Sequence, residues 1–120
     1  MQHSVVLVED DINLRETFKE LLQIMGFNVV RVYENGGEAY VNLRENPVDV
    51  DIIITDFFMP VMNADELIKS LKAEAMYADK QYIVISGFDI ESVYKCFPEG
   101  SGIKFLTKPF KVDELMKILA

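Results

Sequence analysis

Four apolar segments of the chain each lead into polar side chains that are suited to phosphoryl chemistry. In chain order these polar residues are Glu9 with Asp10, then Asp56, Ser86 and Lys108. Carboxylates about 4 Å apart repel by about 4 kcal/mol at an effective dielectric constant of 20, and a hard cation such as Mg²⁺ relieves that repulsion. A lysine adds a fixed positive charge, and a hydroxyl donates a hydrogen bond to a phosphoryl oxygen. The carboxylate of Asp56 would then be free to attack phosphorus as a nucleophile.

Each of these residues also has an ordinary structural explanation when it is taken alone. Acids at a helix start cap the helix and complement its dipole, and we assign Asp11 to that role. Asp56 could begin a turn, Ser86 precedes a glycine as loop residues often do, and most lysines are simply solvated. The combination nevertheless favours a site, because these residues lie at the carboxyl ends of four different predicted strands.

Five short apolar segments predict five strands. They are Ser4–Val8, Asn28–Tyr33, Val50–Thr55, Tyr82–Ser86 and Ile103–Thr107. The first is β-branched and uninterrupted, as a strand buried on both faces is. The second alternates more and is therefore expected nearer the edge of the sheet.

Apolar residues at helical spacing predict a helix after each strand. The first ends at Gly26, the second spans Gly36–Glu45 and the fourth starts near Ile90. The third begins at an N-x-x-E capping signal and places Leu67, Ile68, Leu71 and Ala75 on its inner face, and the fifth carries Val112, Leu115, Met116 and Leu119. This alternation predicts an α/β protein with a doubly wound parallel sheet and helices on both faces. Ligands of such sheets bind at the carboxyl ends of the strands, where the polar residues lie.

Composition and charge exclude several classes of protein. The chain has 120 residues, which suits one domain, and its net charge of −8 disfavours binding to nucleic acid. One cysteine and one histidine cannot form an internal disulfide or a Cys/His metal cluster, and we interpret Cys96 as a small apolar filler. Neither a membrane-spanning apolar run nor a signal peptide is present, so we expect no membrane association and a cytoplasmic location.

Four motifs in order resemble the receiver domain of two-component response regulators. They are "VLVEDD", which resembles the acidic-pair motif, "DFFMP", the phosphoacceptor motif, "VISG", the Ser/Thr motif, and "FLTKPF", the lysine-proline motif. The resemblance covers essentially the whole chain, so residues 1–120 are expected to form one receiver domain. It implies a flavodoxin-like (βα)5 fold with five parallel strands in the order 2-1-3-4-5.

The resemblance also implies a magnesium site. Asp10 would be a direct Mg²⁺ ligand, and Glu9 would act through a water molecule. Asp56 would be both the phosphorylated aspartate and a ligand, and the main-chain carbonyl of Phe58 would complete the protein ligands. Mn²⁺ could substitute for Mg²⁺.

Further roles follow from the same resemblance. Ser86 would hold the phosphoryl group, Lys108 would pair with it, and Phe105 would be the aromatic switch that moves with Ser86. The peptide bond before Pro109 would be cis. The donor would be a sensor histidine kinase or a phosphotransfer protein. The chain would catalyse only its own phosphorylation and dephosphorylation, and would control an output domain, a partner or a homodimer through the fourth helix, fifth strand and fifth helix.

The chain departs from the family pattern at two places. Asn63-Ala64 replaces the usual Asp-Gly, which is expected to alter only a turn. Ser101-Gly102 replaces the usual Gly-Ala before the fifth strand. Because Pro98 cannot continue a helix, we expect the fourth helix to end by Phe97. We also expect amides of residues 88–102 to exchange faster than those of the first helix and to respond to phosphorylation.

Three other functions are weighed against this one. A receiver-like interaction module that is never phosphorylated is disfavoured by the intact acids, serine and lysine. A flavodoxin-like FMN protein needs a phosphate-binding loop after the first strand, where "EDDIN" would repel the ligand. An aspartyl-phosphate phosphatase carries an acid two residues after its nucleophile, and this chain has Phe58 there.

Overall fold

A five-stranded parallel sheet forms the centre of the computed structural model, which describes residues 3–87 and 90–119. The strands are β1 (Ser4–Val8), β2 (Asn28–Tyr33), β3 (Ile52–Asp56), β4 (Gln81–Ser86) and β5 (Lys104–Thr107). Their order is β2-β1-β3-β4-β5, and all four pairs are parallel. The predicted fold class, the strand order and the edge position of the second strand are therefore confirmed.

Five helices connect and cover the strands. They are α1 (Ile12–Ile24), α2 (Gly36–Glu45), α3 (Ala64–Lys72), α4 (Ile90–Tyr94) and α5 (Val112–Leu119), with a short 3-10 helix at Ala75–Tyr77. The fourth helix ends at Tyr94, which confirms the prediction that it ends by Phe97, and Cys96 and Phe97 lie in the turns that follow it. The prediction that Ala75 lies on the inner face of α3 was wrong, because α3 ends three residues earlier and Ala75 is exposed in the 3-10 helix.

The two faces of the sheet bury separate apolar cores. Alternate residues of a strand point to opposite faces, so Val6 and Val8 pack with residues of α2, α3 and α4. Val5 and Leu7 pack instead with residues of α1 and α5. Because both faces are covered, β1 and β3 are buried along nearly their whole length. This explains why their sequences are continuous apolar runs rather than alternating ones.

Strand register brings the chemically important strand ends to one edge of the sheet. Val8 lies opposite Thr55 in the β1–β3 pair, and Asp56 lies opposite Ile85 in the β3–β4 pair. Ser86 lies opposite Thr107 in the β4–β5 pair. Glu9, Asp56, Ser86 and Lys108, which end or directly follow these strands, therefore meet at the carboxyl edge.

Capping was predicted correctly for α1 and incorrectly for α3. The Asp11 side chain accepts a hydrogen bond from the Leu14 N–H at 3.0 Å, as expected of a helix cap. Asn63 is the N-cap residue of α3 but makes no capping hydrogen bond with its side chain. Its Oδ1 turns back and accepts from the Met59 N–H at 3.3 Å, so the predicted N-x-x-E capping box does not form.

Cys96 is exposed, so its interpretation as an apolar filler was wrong. It lies in the turn after α4, where its N–H donates to the Val93 carbonyl at 3.0 Å. Among residues 3–87 and 90–119, none of the helices has the length and apolar character needed to cross a bilayer.

Candidate functional site

Asp56 is the last residue of β3 and is buried at the carboxyl edge of the sheet. The residue is only 9% exposed. A buried carboxylate needs a compensating partner, and the Lys108 ammonium supplies one at 2.6 Å from Oδ1. Backbone pairing continues beyond the strand, because the Phe57 N–H donates to the Ile85 carbonyl at 2.9 Å. The carboxylate is therefore held on a fixed backbone.

Lys108 bridges two acids rather than one. Its Nζ lies 2.6 Å from Asp56 Oδ1 and 3.0 Å from Glu9 Oε1. Its backbone N–H donates to the Ser86 carbonyl at 2.9 Å, which extends the β4–β5 pairing. The peptide bond between Lys108 and Pro109 is cis, as predicted. A surface lysine would not be held at three points, so the solvated interpretation of Lys108 does not fit.

Glu9 is the most buried acid of the site and is fixed at several atoms. It is 3% exposed, and its Oε2 accepts from the Asp11 N–H at 3.2 Å. Its carbonyl oxygen accepts from the Arg15 guanidinium at 2.9 Å. Sequence reasoning did not identify Arg15. The sequence feature that could have indicated it is a basic residue in the first turn of α1, six positions after Glu9.

An acidic cluster capable of holding a metal ion lies beside this lysine. Glu9, Asp10 and Asp56 each offer one carboxylate oxygen, and these three oxygens lie within 4.8 Å of one another. Ligand oxygens on opposite sides of an octahedral Mg²⁺ are about 4 Å apart, since each metal–oxygen bond is about 2.1 Å. The donors are all oxygens, which is the ligand type that Mg²⁺ and Mn²⁺ prefer. The cluster therefore fits such an ion with small movements of the side chains.

The pKa values of the three linked groups shift in opposite directions. Burial, together with the hydrogen bond and charge of Glu9, raises the pKa of Asp56 to about 8, although Lys108 opposes the shift. Burial also acts to raise the pKa of Glu9, but hydrogen bonds with Asp56 and Lys108 outweigh it and lower the pKa. For Lys108, burial acts to lower the pKa, and the two acids raise it overall. The two carboxyl groups therefore titrate as a pair, in which the shift to a higher pKa falls on Asp56 and the shift to a lower pKa falls on Glu9.

A small cavity opens beside Asp56. Its volume is about 210 Å³, and it is lined by Asp56, Phe58, Ile85, Ser86, Gly87 and Lys108. This volume exceeds the roughly 30 Å³ that one water molecule occupies in the liquid, so several small groups fit. A larger cavity of about 510 Å³ lies between α3 and the segment after α4, and none of the acidic cluster lines it.

Ser86 and Phe105 occupy the neighbouring strands β4 and β5, and Ser86 lines this cavity. Ser86 is 3% exposed at the end of β4. Phe105 of β5 is half-buried, and its ring packs against Tyr94 and Phe97 with ring centroids 5.1 and 5.5 Å away. The aromatic ring thus connects β5 to α4 and the turn after it.

Replacing Lys108 with alanine is expected to destabilise the metal-free domain without abolishing its fold. The variant leaves the Glu9 and Asp56 carboxyl groups without their shared cation, which should cost about 2 kcal/mol, as for hydrogen bonds to charged groups. Urea unfolding at neutral pH with a chelator would measure the loss. Lys111→Ala provides the control, because Lys111 is exposed, and should change stability by less than about 0.5 kcal/mol. Equal effects of the two substitutions would contradict the structural role of Lys108.

Comparison with known proteins identifies the family. The model of the response regulator receiver domain matches residues 5–120. The chain is 32% identical over 115 residues to the transcriptional regulatory protein CrdR of Helicobacter pylori, which covers 96% of this chain and 52% of that protein. It is 37% identical over 82 residues to a chemotaxis protein CheY homolog of Campylobacter jejuni, which covers 68% of this chain and 62% of that protein. The chain thus spans about half the length of CrdR.

Solved structures agree in fold. The chemotaxis response regulator CheY4 of Vibrio cholerae superposes with a TM-score of 0.83 at 26% identity, covering 99% of this chain and 97% of that chain. The receiver domain of sensor histidine kinase PA1611 from Pseudomonas aeruginosa shares the fold with a TM-score of 0.84 at 22% identity, covering 99% and 95% of the two chains. Members of the family are generally not enzymes. The chain belongs to the receiver domain family of two-component response regulators.

Proposed function

We propose that this receiver domain, extending over residues 1–120, accepts a phosphoryl group on Asp56. The donor would be a phosphohistidine on a sensor histidine kinase or a phosphotransfer protein, and the reaction would depend on Mg²⁺. The observation that carries the proposal is the position of Lys108, whose ammonium contacts both Asp56 and Glu9 beside an open cavity. Outside this self-modification, we propose no enzymatic activity.

The metal would be held by the acidic cluster. Asp10 and Asp56 would be direct ligands, the main-chain carbonyl of Phe58 would add a third oxygen, and Glu9 would act through water. The position of Phe58, which lines the same cavity as Asp56, supports this assignment. The receiver domain of PA1611 was crystallised with a magnesium ion coordinated in its active site cleft. Bound Mg²⁺, or Mn²⁺ in its place, would offset the negative charge of the cluster and of the incoming phosphoryl group.

The residues of the site have distinct parts in the transfer. An ionised Asp56 oxygen attacks phosphorus, the bond from phosphorus to the donor nitrogen breaks, and an acyl phosphate forms on Asp56. The Lys108 ammonium contacts the Asp56 carboxylate, so it can move to a phosphoryl oxygen and offset the new negative charge. The Ser86 hydroxyl lines the cavity and can donate a hydrogen bond to another phosphoryl oxygen.

The same serine would pass the change to an output surface. We propose that Ser86 and Phe105 move toward the phosphoryl group, and that Tyr94 and Phe97, which pack on the Phe105 ring, respond. Tyr94, Val112 and Met116 supply exposed apolar area on α4 and α5. The face formed by α4, β5 and α5 would then bind an output domain, a partner protein or a second copy. The CheY of Borrelia burgdorferi forms a complex with CheX. Direct binding to nucleic acid is not proposed, given the net charge of −8.

Hydrogen exchange provides a test of this switch. Amides of residues 90–102 should exchange faster than those of α1, because α4 has only five residues against thirteen in α1 and short helices are marginal alone. A phosphoryl mimic such as beryllofluoride should change their protection. The predicted range begins at Phe88, and Phe88 and Asp89 lie outside the described residues. Protection equal to that of α1 and indifferent to the mimic would move the switch elsewhere.

Phosphotransfer from a panel of histidine kinases tests the proposed function itself. A kinase carrying labelled phosphohistidine should transfer its label to the wild-type chain within seconds to minutes when Mg²⁺ is present, and a chelator should stop the transfer. The alternative is a receiver-like interaction module that is not phosphorylated. Absence of transfer from every kinase and from small phosphodonors, together with binding to a partner, would favour that alternative.

A further inference from the structure

The loop that follows Asp56 is closed on itself by hydrogen bonds. The Ala64 N–H donates to the Phe57 carbonyl at 2.9 Å, and the Met59 N–H donates to Asn63 Oδ1 at 3.3 Å. Ala64 is fully buried. The loop therefore has a defined shape, and it carries the Phe58 carbonyl that we assign to the metal site.

Val61 sits in a strained turn at the centre of this loop. Its φ angle is 75°, and the Met62 N–H donates to the Pro60 carbonyl at 2.8 Å. A carbonyl that accepts from the N–H two residues later forms a γ-turn. The form of this turn whose central residue has a positive φ is rare and strained. A β-branched residue is especially disfavoured there. Since the Val61 side chain is 83% exposed, its own burial does not hold the turn in place.

The first residues of α2 lie directly against this turn. Gly36 is buried, and a Cβ added to it would lie 2.6 Å from the Met62 carbonyl oxygen. A Cβ added to the neighbouring Gly37 would lie 2.6 Å from a Val61 methyl group. At position 36 only glycine permits the approach, because the atom that a Cβ would meet belongs to the backbone. The backbone of the turn and the backbone of α2 are therefore in contact.

Other residues fix the position of α2 itself. The Asn35 side chain caps it by accepting from the Glu38 N–H at 2.7 Å. Ala39 and Leu43 on its inner face are fully buried in the core. The helix start is thus a rigid support, and the strained turn can persist because the surrounding structure determines it.

We infer that Gly36 is a positioning residue for the phosphoacceptor loop: the start of α2 holds the Pro60–Met62 turn, and through it the Phe58 carbonyl, in the geometry that binds Mg²⁺. The inference rests on the proposed metal site. No atom of α2 needs to touch the metal. Groups that support metal ligands from outside typically change metal affinity by about 10–100-fold when they are altered.

Two adjacent glycine substitutions give a matched comparison. Gly36→Ala places a methyl group against a backbone carbonyl, so the loop must shift. Gly37→Ala adds the same methyl group one residue later, against an exposed valine side chain that can rotate. We expect Gly36→Ala to weaken Mg²⁺ binding about tenfold in calorimetric titration. Gly37→Ala should stay close to wild type.

Amide hydrogen exchange of the metal-free proteins supplies a readout that is independent of the metal. The Met62 and Ala64 amides should exchange faster in Gly36→Ala, while the Leu22 amide in α1 should be unchanged, because the effect is local. If Gly36→Ala does not fold, Asn35→Ala takes its place, since loss of the cap loosens the start of α2 without adding an atom. It should give the same two changes.

The outcomes separate this inference from the proposed function. Folded Gly36→Ala or Asn35→Ala proteins with wild-type exchange at Met62 and Ala64 would overturn the inference, and so would faster exchange with unchanged Mg²⁺ affinity. Equal effects of Gly36→Ala and Gly37→Ala would also overturn it.

If the wild-type protein bound no Mg²⁺, the proposed metal site would fail, and the role of Gly36 in positioning that site would fail with it. Amide hydrogen exchange at Met62 and Ala64 would then show only whether α2 holds the loop in place.

Discussion

Asp56→Asn protein incubated with Mg²⁺ and acetyl phosphate is expected to keep the mass of the unmodified chain, whereas the wild-type protein gains one phosphoryl group. An amide has nearly the shape of a carboxylate but is not a nucleophile toward phosphorus, so labelling should fall to background. Asp56 is also the acid that contacts Lys108 at 2.6 Å and lines the cavity. Intact-mass measurement after a fixed incubation time is sufficient to see the difference.

Asp49→Asn is the matched control for this result. Asp49 precedes β3 and is exposed, so its replacement changes the net charge by the same amount without touching the site. The control should be phosphorylated like the wild type. Equal labelling of Asp56→Asn and the wild-type protein would place the phosphoryl group on another residue.

The second large effect is expected for Asp10→Asn, which should weaken Mg²⁺ binding by at least about tenfold. Asp10 is the exposed member of the cluster, and its oxygen lies within 4.8 Å of those of Glu9 and Asp56. The substitution removes one charged ligand from an ion that keeps several waters and is held by few protein oxygens. Calorimetric titration at neutral pH would measure the change, with Asp11→Asn as the neighbouring control because Asp11 caps α1.

The pH dependence of the same titration follows from the raised pKa of Asp56. Its pKa without metal is about 8, and a ligand must lose its proton before it coordinates. Mg²⁺ affinity should therefore rise with pH up to about 8 and level off above it, and binding below that value should release protons. Full affinity in Asp10→Asn, or an affinity that does not change with pH, would count against this assignment of ligands.

Much of the site could be predicted because it depends on where strands end. Parallel strands have their carboxyl ends at one edge, so apolar runs followed by Glu9, Asp56, Ser86 and Lys108 had to bring those residues near one another once the strand order was right. The observed register confirms the alignment, since Thr55 lies beside Val8 and Thr107 beside Ser86. Local sequence was sufficient here because the sheet itself does the positioning.

Other features depend on side-chain directions that local sequence does not determine. The contact of Lys108 with Glu9, as well as with Asp56, joins residues 99 positions apart. Asn63 has the residue type and spacing of a helix cap. Its side-chain oxygen nevertheless accepts a hydrogen bond from the Met59 N–H within the loop. The γ-turn at Val61 could not be predicted, because nothing in a valine favours a positive φ. Such features arise from tertiary contacts that override local preference.

Locating the phosphoryl group in the wild-type chain tests directly whether Asp56 is the phosphoacceptor. Protein treated with acetyl phosphate and Mg²⁺ is reduced with borohydride, which converts an aspartyl phosphate to homoserine, and the peptides are then sequenced by mass spectrometry. Homoserine is expected at position 56 alone, and none is expected when a chelator replaces Mg²⁺. Reduction at Glu9 or Asp10, or no reduction in a protein shown to be folded, would contradict it.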